Sequence, residues 1–251
     1  MRRYLTAVAL LLAACSPGGQ VVPAASPSGP PEVQFELVRQ HAEQFDVDLP
    51  DRPPGSQHEL AAASYILGHL QLAGFSPRLD SVPVADTVDS TNVVALPPNG
   101  SDPEFLLAIS YDTQPNGRPQ RGRELGLFLE VARAITVADP EHSVAFAALG
   151  AETAESRGTR RLAQFMLDEG IDPSVLLFSS ALGSQTNFYT VGACQGEANM
   201  GMATTFTETE CRDIDMHNSA ITDAGFQLTF IGGDIEELGR GLFDFLLGSQ
   251  S

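Results

Sequence analysis

The sequence predicts a three-layer α/β/α domain built on a mostly parallel, mixed sheet with helices on both faces. Three observations predict it. Phe105–Ile109, Ser143–Gly150 and Ser174–Phe178 are short, nearly continuous apolar runs, the pattern of strands buried on both faces. Between them lie segments of helical period, carrying Leu125, Leu129, Ala132 and Ile135 in one and Arg160 to Leu167 in the other. Strand, helix, strand, helix, strand in succession is the signature of parallel pairing with right-handed crossovers. Each of the three runs ends in polar residues: Ser110-Tyr111-Asp112, Ala151-Glu152-Thr153 and Ser179-Ser180. Carboxyl ends of parallel strands are where ligands bind in open α/β sheets, so these are the candidate site residues.

From the start of the chain, Arg2-Arg3 and the apolar run Tyr4 to Ala14 read as a secretory signal, too short to span a bilayer. It closes in Leu12-Ala13-Ala14-Cys15, which resembles the bacterial lipobox and makes Cys15 the expected lipidated residue. Residues 16–31 hold Pro17, Pro23, Pro27, Pro30 and Pro31 with three glycines and almost no charge, the composition of an extended tether. Residues 32–251 read as one domain.

That domain begins with a helical stripe of Val33, Leu37, His41 and Phe45, stopped by Asp51-Arg52-Pro53-Pro54-Gly55. Ser56 opens a capping box with Glu59, followed by an inward stripe of Leu60, Ala63, Leu67 and Leu70 and a stop at Gly74. His58 and His69 read as surface or edge residues of that helix. Phe75–Val84 and Thr91–Leu96 read as strands ahead of the three parallel ones. Gly183 to Asn218 is the least regular stretch; it carries Cys194 and Cys211, which in an exported protein are expected to form a disulfide contributing ~3 kcal/mol. Phe226–Ile231 reads as a last strand and Asp234–Leu247 as the closing helix.

Composition excludes several chemistries. There is no lysine, so neither a Schiff base nor a phosphate-loop lysine can form. The net charge is -18. Removal of Arg2 and Arg3 with the signal would leave 12 arginines against 32 acidic residues, a net −20. Such a surface repels nucleic acid and anionic headgroups. The sequence also holds no Gly-x-Ser-x-Gly elbow and no paired-histidine metal helix.

The order of Arg52-Pro53-Pro54-Gly55-Ser56, Thr91-Asn92-Val93-Val94-Ala95, Ser110-Tyr111-Asp112, Leu129-Glu130-Val131-Ala132-Arg133, Gly150-Ala151-Glu152 and Ala224-Gly225-Phe226 resembles the exported di-zinc aminopeptidases of metallopeptidase clan MH. Glutaminyl cyclases and the transferrin-receptor ectodomain share that fold. The resemblance implies metal-assisted hydrolysis, with two zinc ions held by His, Asp, Glu, Asp and His and a neighbouring glutamate as general base. Carried over position by position, the ligands are missing. Ser110 stands for the first histidine, Gln120 for the bridging aspartate, Thr153 for the liganding glutamate and Ser180 for the next aspartate. Gly232-Gly233-Asp234 offers no final histidine. Only Glu152 (the general base) and Asp112 (beside the metal) survive. Neutral hydroxyls do not hold zinc, and Arg118, Arg121 and Arg123 would oppose a dication.

The expectation is therefore a lipid-anchored protein of a bacterial cell envelope with a degenerate aminopeptidase-like domain and no cofactor. It would bind a peptide or protein in the old cleft, attach to a membrane through its lipid, and have no nucleic-acid partner. The alternative is an active hydrolase rebuilt around Glu152, Asp112 and His217, the one case in which zinc would return.

Overall fold

The computed structural model describes residues 28–117, 120–178, 187–190 and 220–248. Seven strands form one sheet: β1 (Arg78–Ala85), β2 (Val88–Ala95), β3 (Phe105–Ser110), β4 (Val144–Leu149), β5 (Ser174–Phe178), β6 (Asn187–Thr190) and β7 (Leu228–Gly232). Their order across the sheet is β1-β2-β4-β3-β5-β7-β6. The central four, β4, β3, β5 and β7, pair in parallel, whereas β1, β2 and β6 run antiparallel at the two edges. The expected architecture holds, with its parallel part confined to the middle of the sheet.

The apolar runs form buried strands because helices cover both faces. Along β3, Phe105, Leu107 and Ile109 join one core while Leu106 and Ala108 join the other, and β4 divides its residues the same way. On one face lie α1 (Phe35–Glu43), α2 (Gln57–Leu72), α3 (Gly122–Ala138) and α5 (Ile235–Gly248). On the other lies α4 (Arg157–Glu169) with Ile221 and Phe226. From β3, α3 leads to β4 on one side, and from β4, α4 crosses the opposite face to β5 on the other. The sheet thus reverses its winding beside β3, the position where open α/β sheets form their crevice.

The helices follow the sequence reading with shifts. In α1 the buried residues are Val38, His41 and Ala42, while Val33 precedes the helix and Leu37 is half-buried. A π-helical turn, Gln44–Asp48, follows and buries Phe45. In α2 the buried face is Glu59, Ala62, Ala63, Ile66 and Leu70; Leu60 points outward at 56 % exposure. Small alanines let this helix lie close to the sheet, and that contact sets its rotation. Ser56 Oγ accepts from Glu59 N at 3.1 Å, as a capping box requires, but the Glu59 carboxylate turns inward to Gly55 N and Ser90 Oγ. Strand β6 falls within the stretch read as irregular.

The last residues of the expected tether are fixed to the domain. Arg133 donates to the carbonyls of Ser28 (3.2 Å), Pro30 (2.9 Å) and Glu32 (2.7 Å), and its remaining donors hold Glu130. Glu130 Oε1 also accepts from Gln34 N at 2.8 Å, which fixes the start of α1. Cys15 and the Cys194–Cys211 pairing lie outside the described residues. No helix among the described residues is long and apolar enough to cross a membrane.

Candidate functional site

Ser110 ends β3 and Leu149, its register partner, ends β4, so the two loops that follow emerge side by side. Ser110, Tyr111, Asp112 and Thr113 are all buried, with exposures of 6 %, 0 %, 1 % and 0 %. Tyr111 extends the ladder by donating its N–H to Leu149 O at 3.0 Å, and its hydroxyl donates to Thr91 O at 2.6 Å. Asp112 Oδ2 receives both the N–H of Thr153 at 2.8 Å and its hydroxyl at 2.6 Å. The other carboxylate oxygen, Oδ1, is buried and has no hydrogen-bond partner among the described residues. Burial pushes the Asp112 carboxyl up, the Thr153 bonds pull it down, and the charge of Glu152 pushes it up further.

Glu152 lies one residue before Thr153 and faces the other way. Its Oε1 accepts from Thr159 N at 2.5 Å and its Oε2 from Thr159 Oγ1 at 2.8 Å, at the third position of α4. The residue that should cap α4, Ser156, is left-handed (φ 52°) and makes no side-chain cap, so Glu152 fills that role. Gly158 permits the approach: a Cβ there would lie 2.1 Å from Gly150 O and 2.8 Å from Glu152 Oε1. Gly158→Ala should therefore cost about 1–3 kcal/mol in a denaturant titration, because the nearest clash is with backbone that cannot rotate away.

Beneath these loops sits Arg52, fully buried. Its guanidinium donates to the carbonyls of Tyr111 (2.6 Å), Phe45 (2.6 Å), Leu49 and Gln120 (2.7 Å). Its backbone exchanges bonds with Thr113, the N–H to Thr113 Oγ1 at 2.7 Å and the carbonyl from Thr113 N at 3.0 Å. One side chain thus ties the π-turn, the end of β3 and the loop before α3. Glu59 approaches from α2 and is 3 % exposed; burial pushes its carboxyl up to about 7 despite the donors around it, and the charge of Asp112 adds to the rise.

The sequence-predicted positions separate into two groups. Ser110, Asp112, Glu152 and Thr153 come together at the ends of β3 and β4. Gln120 does not join them: its side chain is exposed, and its backbone carbonyl serves Arg52. Asp234, after β7, is spent capping α5, with Oδ1 accepting from Glu236 N at 3.0 Å and Glu237 N at 3.1 Å. Ser180 and His217 lie outside the described residues. Arg121, left-handed at φ 53° ahead of α3, reaches Phe178 O at the end of β5 with Nη1 at 3.3 Å. A guanidinium therefore lies at the carboxyl edge of the sheet, beside the end of β5. Two hydroxyls, an outward amide and carboxylates already committed to threonines do not make a zinc donor set. Among the described residues no group of three or more His, Cys, Asp or Glu is placed to hold a metal ion.

No protein-family model matches the chain, and no curated protein sequence matches it. Solved structures do. A leucine aminopeptidase precursor of Bacteroides thetaiotaomicron superposes with a TM-score of 0.63 at 15 % identity, over 87 % of this chain and 98 % of that one. A glutaminyl cyclase of the same organism, bound to N-acetylhistamine, gives 0.62 at 15 % identity over 87 % and 99 %. A Zn-dependent exopeptidase of Parabacteroides distasonis gives 0.60 at 15 % identity over 87 % and 99 %. The chain has the fold shared by these exopeptidases and cyclases, as its motif order implied.

Proposed function

We propose that this protein is a non-catalytic member of the zinc-aminopeptidase fold, carried outside the cytoplasm on a lipidated Cys15, that binds a peptide or a partner protein at the carboxyl edge of its sheet. The observation that carries the reading is the employment of the two surviving carboxylates. Glu152 would have to take a proton from an attacking water, yet both its oxygens are held by Thr159. Asp112 is turned toward Thr153, the residue in the place of a liganding glutamate. Each carboxylate supports a loop, which favours a binding role over activation of a nucleophile.

Two measurements bear on this. An immobilised sample of the protein should enrich a defined subset of a random peptide library, and failure to enrich any sequence would reduce the protein to a structural envelope component. Glu152→Gln should lower stability by about 1 kcal/mol by weakening the cap of α4, and should leave peptide capture unchanged. A rebuilt hydrolase centred on Glu152, Asp112 and His217 would instead lose a measurable turnover in that variant.

A further inference from the structure

A cavity of about 470 Å³ lies between α1, α2 and α3, on the helical layer and away from the carboxyl edge of the sheet. Its walls are of three kinds. Leu37, Leu72, Ala73 and Leu129 make it largely apolar. Tyr65, His41 and His69 form a continuous ring surface: His41 and His69 meet edge to face with centroids 4.5 Å apart, and Tyr65 lies 4.4 Å from His69. Glu130 and Arg133 close the third side beside Ser28.

The charged wall has nothing left to offer a ligand. Arg133 Nε and one Nη2 donor go to Glu130, the other Nη2 donor to Glu32 O, and Nη1 to Ser28 O and Pro30 O, which uses all five N–H groups. The ring wall is the reverse. His41 is 9 % exposed; its Nδ1 bonds the Tyr65 hydroxyl at 2.8 Å, and its Nε2 has no hydrogen-bond partner among the described residues. Neither nitrogen of His69 makes a hydrogen bond with any described residue. Burial keeps both rings neutral at pH 7, His41 with a pKa of about 4, so His69 can offer one donor and one acceptor and His41 its Nε2 alone.

We infer that this cavity is a second binding site, for a small, uncharged, planar heteroaromatic molecule that lies against Tyr65 and His69 and hydrogen-bonds the free imidazole nitrogens. The volume suits one such molecule. Apolar walls and rings favour a flat body, and imidazole nitrogens with no hydrogen-bond partner among the described residues give such a ligand groups to pair with. With Glu130 and Arg133 satisfied by each other and by backbone, an ionic ligand would be desolvated without compensation. The inference does not depend on the reading of the sheet edge, since the two sites share no residue.

The test uses matched probes on the full protein. Nicotinamide and 2-quinolone are the neutral ligands, with nicotinate and 3-(aminomethyl)pyridine as charged counterparts of nicotinamide, and binding is followed through the ring-proton resonances of His41 and His69. The neutral probes should saturate those resonances, and the charged ones should bind at least tenfold more weakly. His69→Leu, which keeps the volume and removes the nitrogens, should weaken 2-quinolone at least tenfold with the melting temperature unchanged. Leu72→Trp, at a position 57 % exposed on the cavity rim, should block binding without touching the interior. The inference is overturned if neither neutral probe shifts the two rings at millimolar concentration. It is equally overturned if nicotinate binds as well as nicotinamide, or if Leu72→Trp binds like the wild type.

Discussion

Replacing Arg52 by methionine should destabilise the protein by at least about 3 kcal/mol, the largest single-residue effect expected in the described structure. The stem of methionine can fill part of the space, but four carbonyls lose their donor at once: Tyr111, Phe45, Leu49 and Gln120. Each buried acceptor left unsatisfied costs about 1–3 kcal/mol where water cannot reach it. Burial already presses the guanidinium toward its neutral form, opposed by Asp46, Asp112 and Asp51 around it. Arg52 therefore persists because its carbonyl partners and these carboxylates together offset desolvation. A lysine would be a poor substitute, since a point charge with three donors cannot reproduce the planar fork. Denaturant titration of Arg52→Met and Arg52→Lys checks this, and a loss below 1 kcal/mol in both would contradict it.

Glu59→Gln should stabilise the protein at alkaline pH and do little in mild acid. The Glu59 carboxyl titrates near 7 in the folded chain against 4.5 in the unfolded one, so between those values the native state holds the extra proton. Stability from this group falls as pH rises through that window, and the full cost is present above pH 7. Between pH 5 and pH 8 the difference is about 2–3 kcal/mol. The variant removes that loss, because glutamine resembles the protonated acid and the Ser90 hydroxyl can rotate to accept from its amide. His41 and His142 act in the opposite sense: both are buried with pKa values of about 4, so they cost stability as pH falls from 6.5 toward 4. The expected wild-type profile therefore has a maximum near neutrality. Thermal melts of wild type and Glu59→Gln from pH 5 to pH 8 should show a gap in favour of the variant that opens with pH; a constant gap would place the Glu59 pKa at its ordinary value.

Much of the fold was legible because strand burial writes directly into sequence. Phe105–Ile109 and Val144–Leu149 are apolar at every position, and both proved to be central strands. The rotation of α2 was not legible: Leu60 looks like a core residue by spacing, and only the close contact made possible by Ala62 and Ala63 turns it outward. Strand β6 is four residues long and pairs on one side alone, too short for a periodic signal.

At the site, Asp112, Glu152, Ser110 and Thr153 were found because each follows a readable strand. Their roles were not, since capping by Glu152 depends on the left-handed turn at Ser156 and on Gly158 in the first turn of α4. Arg52 was visible only as part of a motif; an arginine before two prolines reads as exposed, and its burial is set by carbonyls from the adjacent π-turn and two distant segments. His69 likewise read as a surface residue, and its place in a cavity wall depends on how α1 and α3 pack against α2.

A fold that no longer supports metal-assisted hydrolysis should lack both bound zinc and turnover when the two are measured in one sample. The purified protein, equilibrated with micromolar zinc and passed through a desalting column, should retain well under one equivalent of metal. It should show no hydrolysis of aminoacyl anilides and no cyclisation of an N-terminal glutamine above the buffer blank. Two equivalents of retained zinc together with turnover on either substrate would show instead an intact di-metal hydrolase or cyclase.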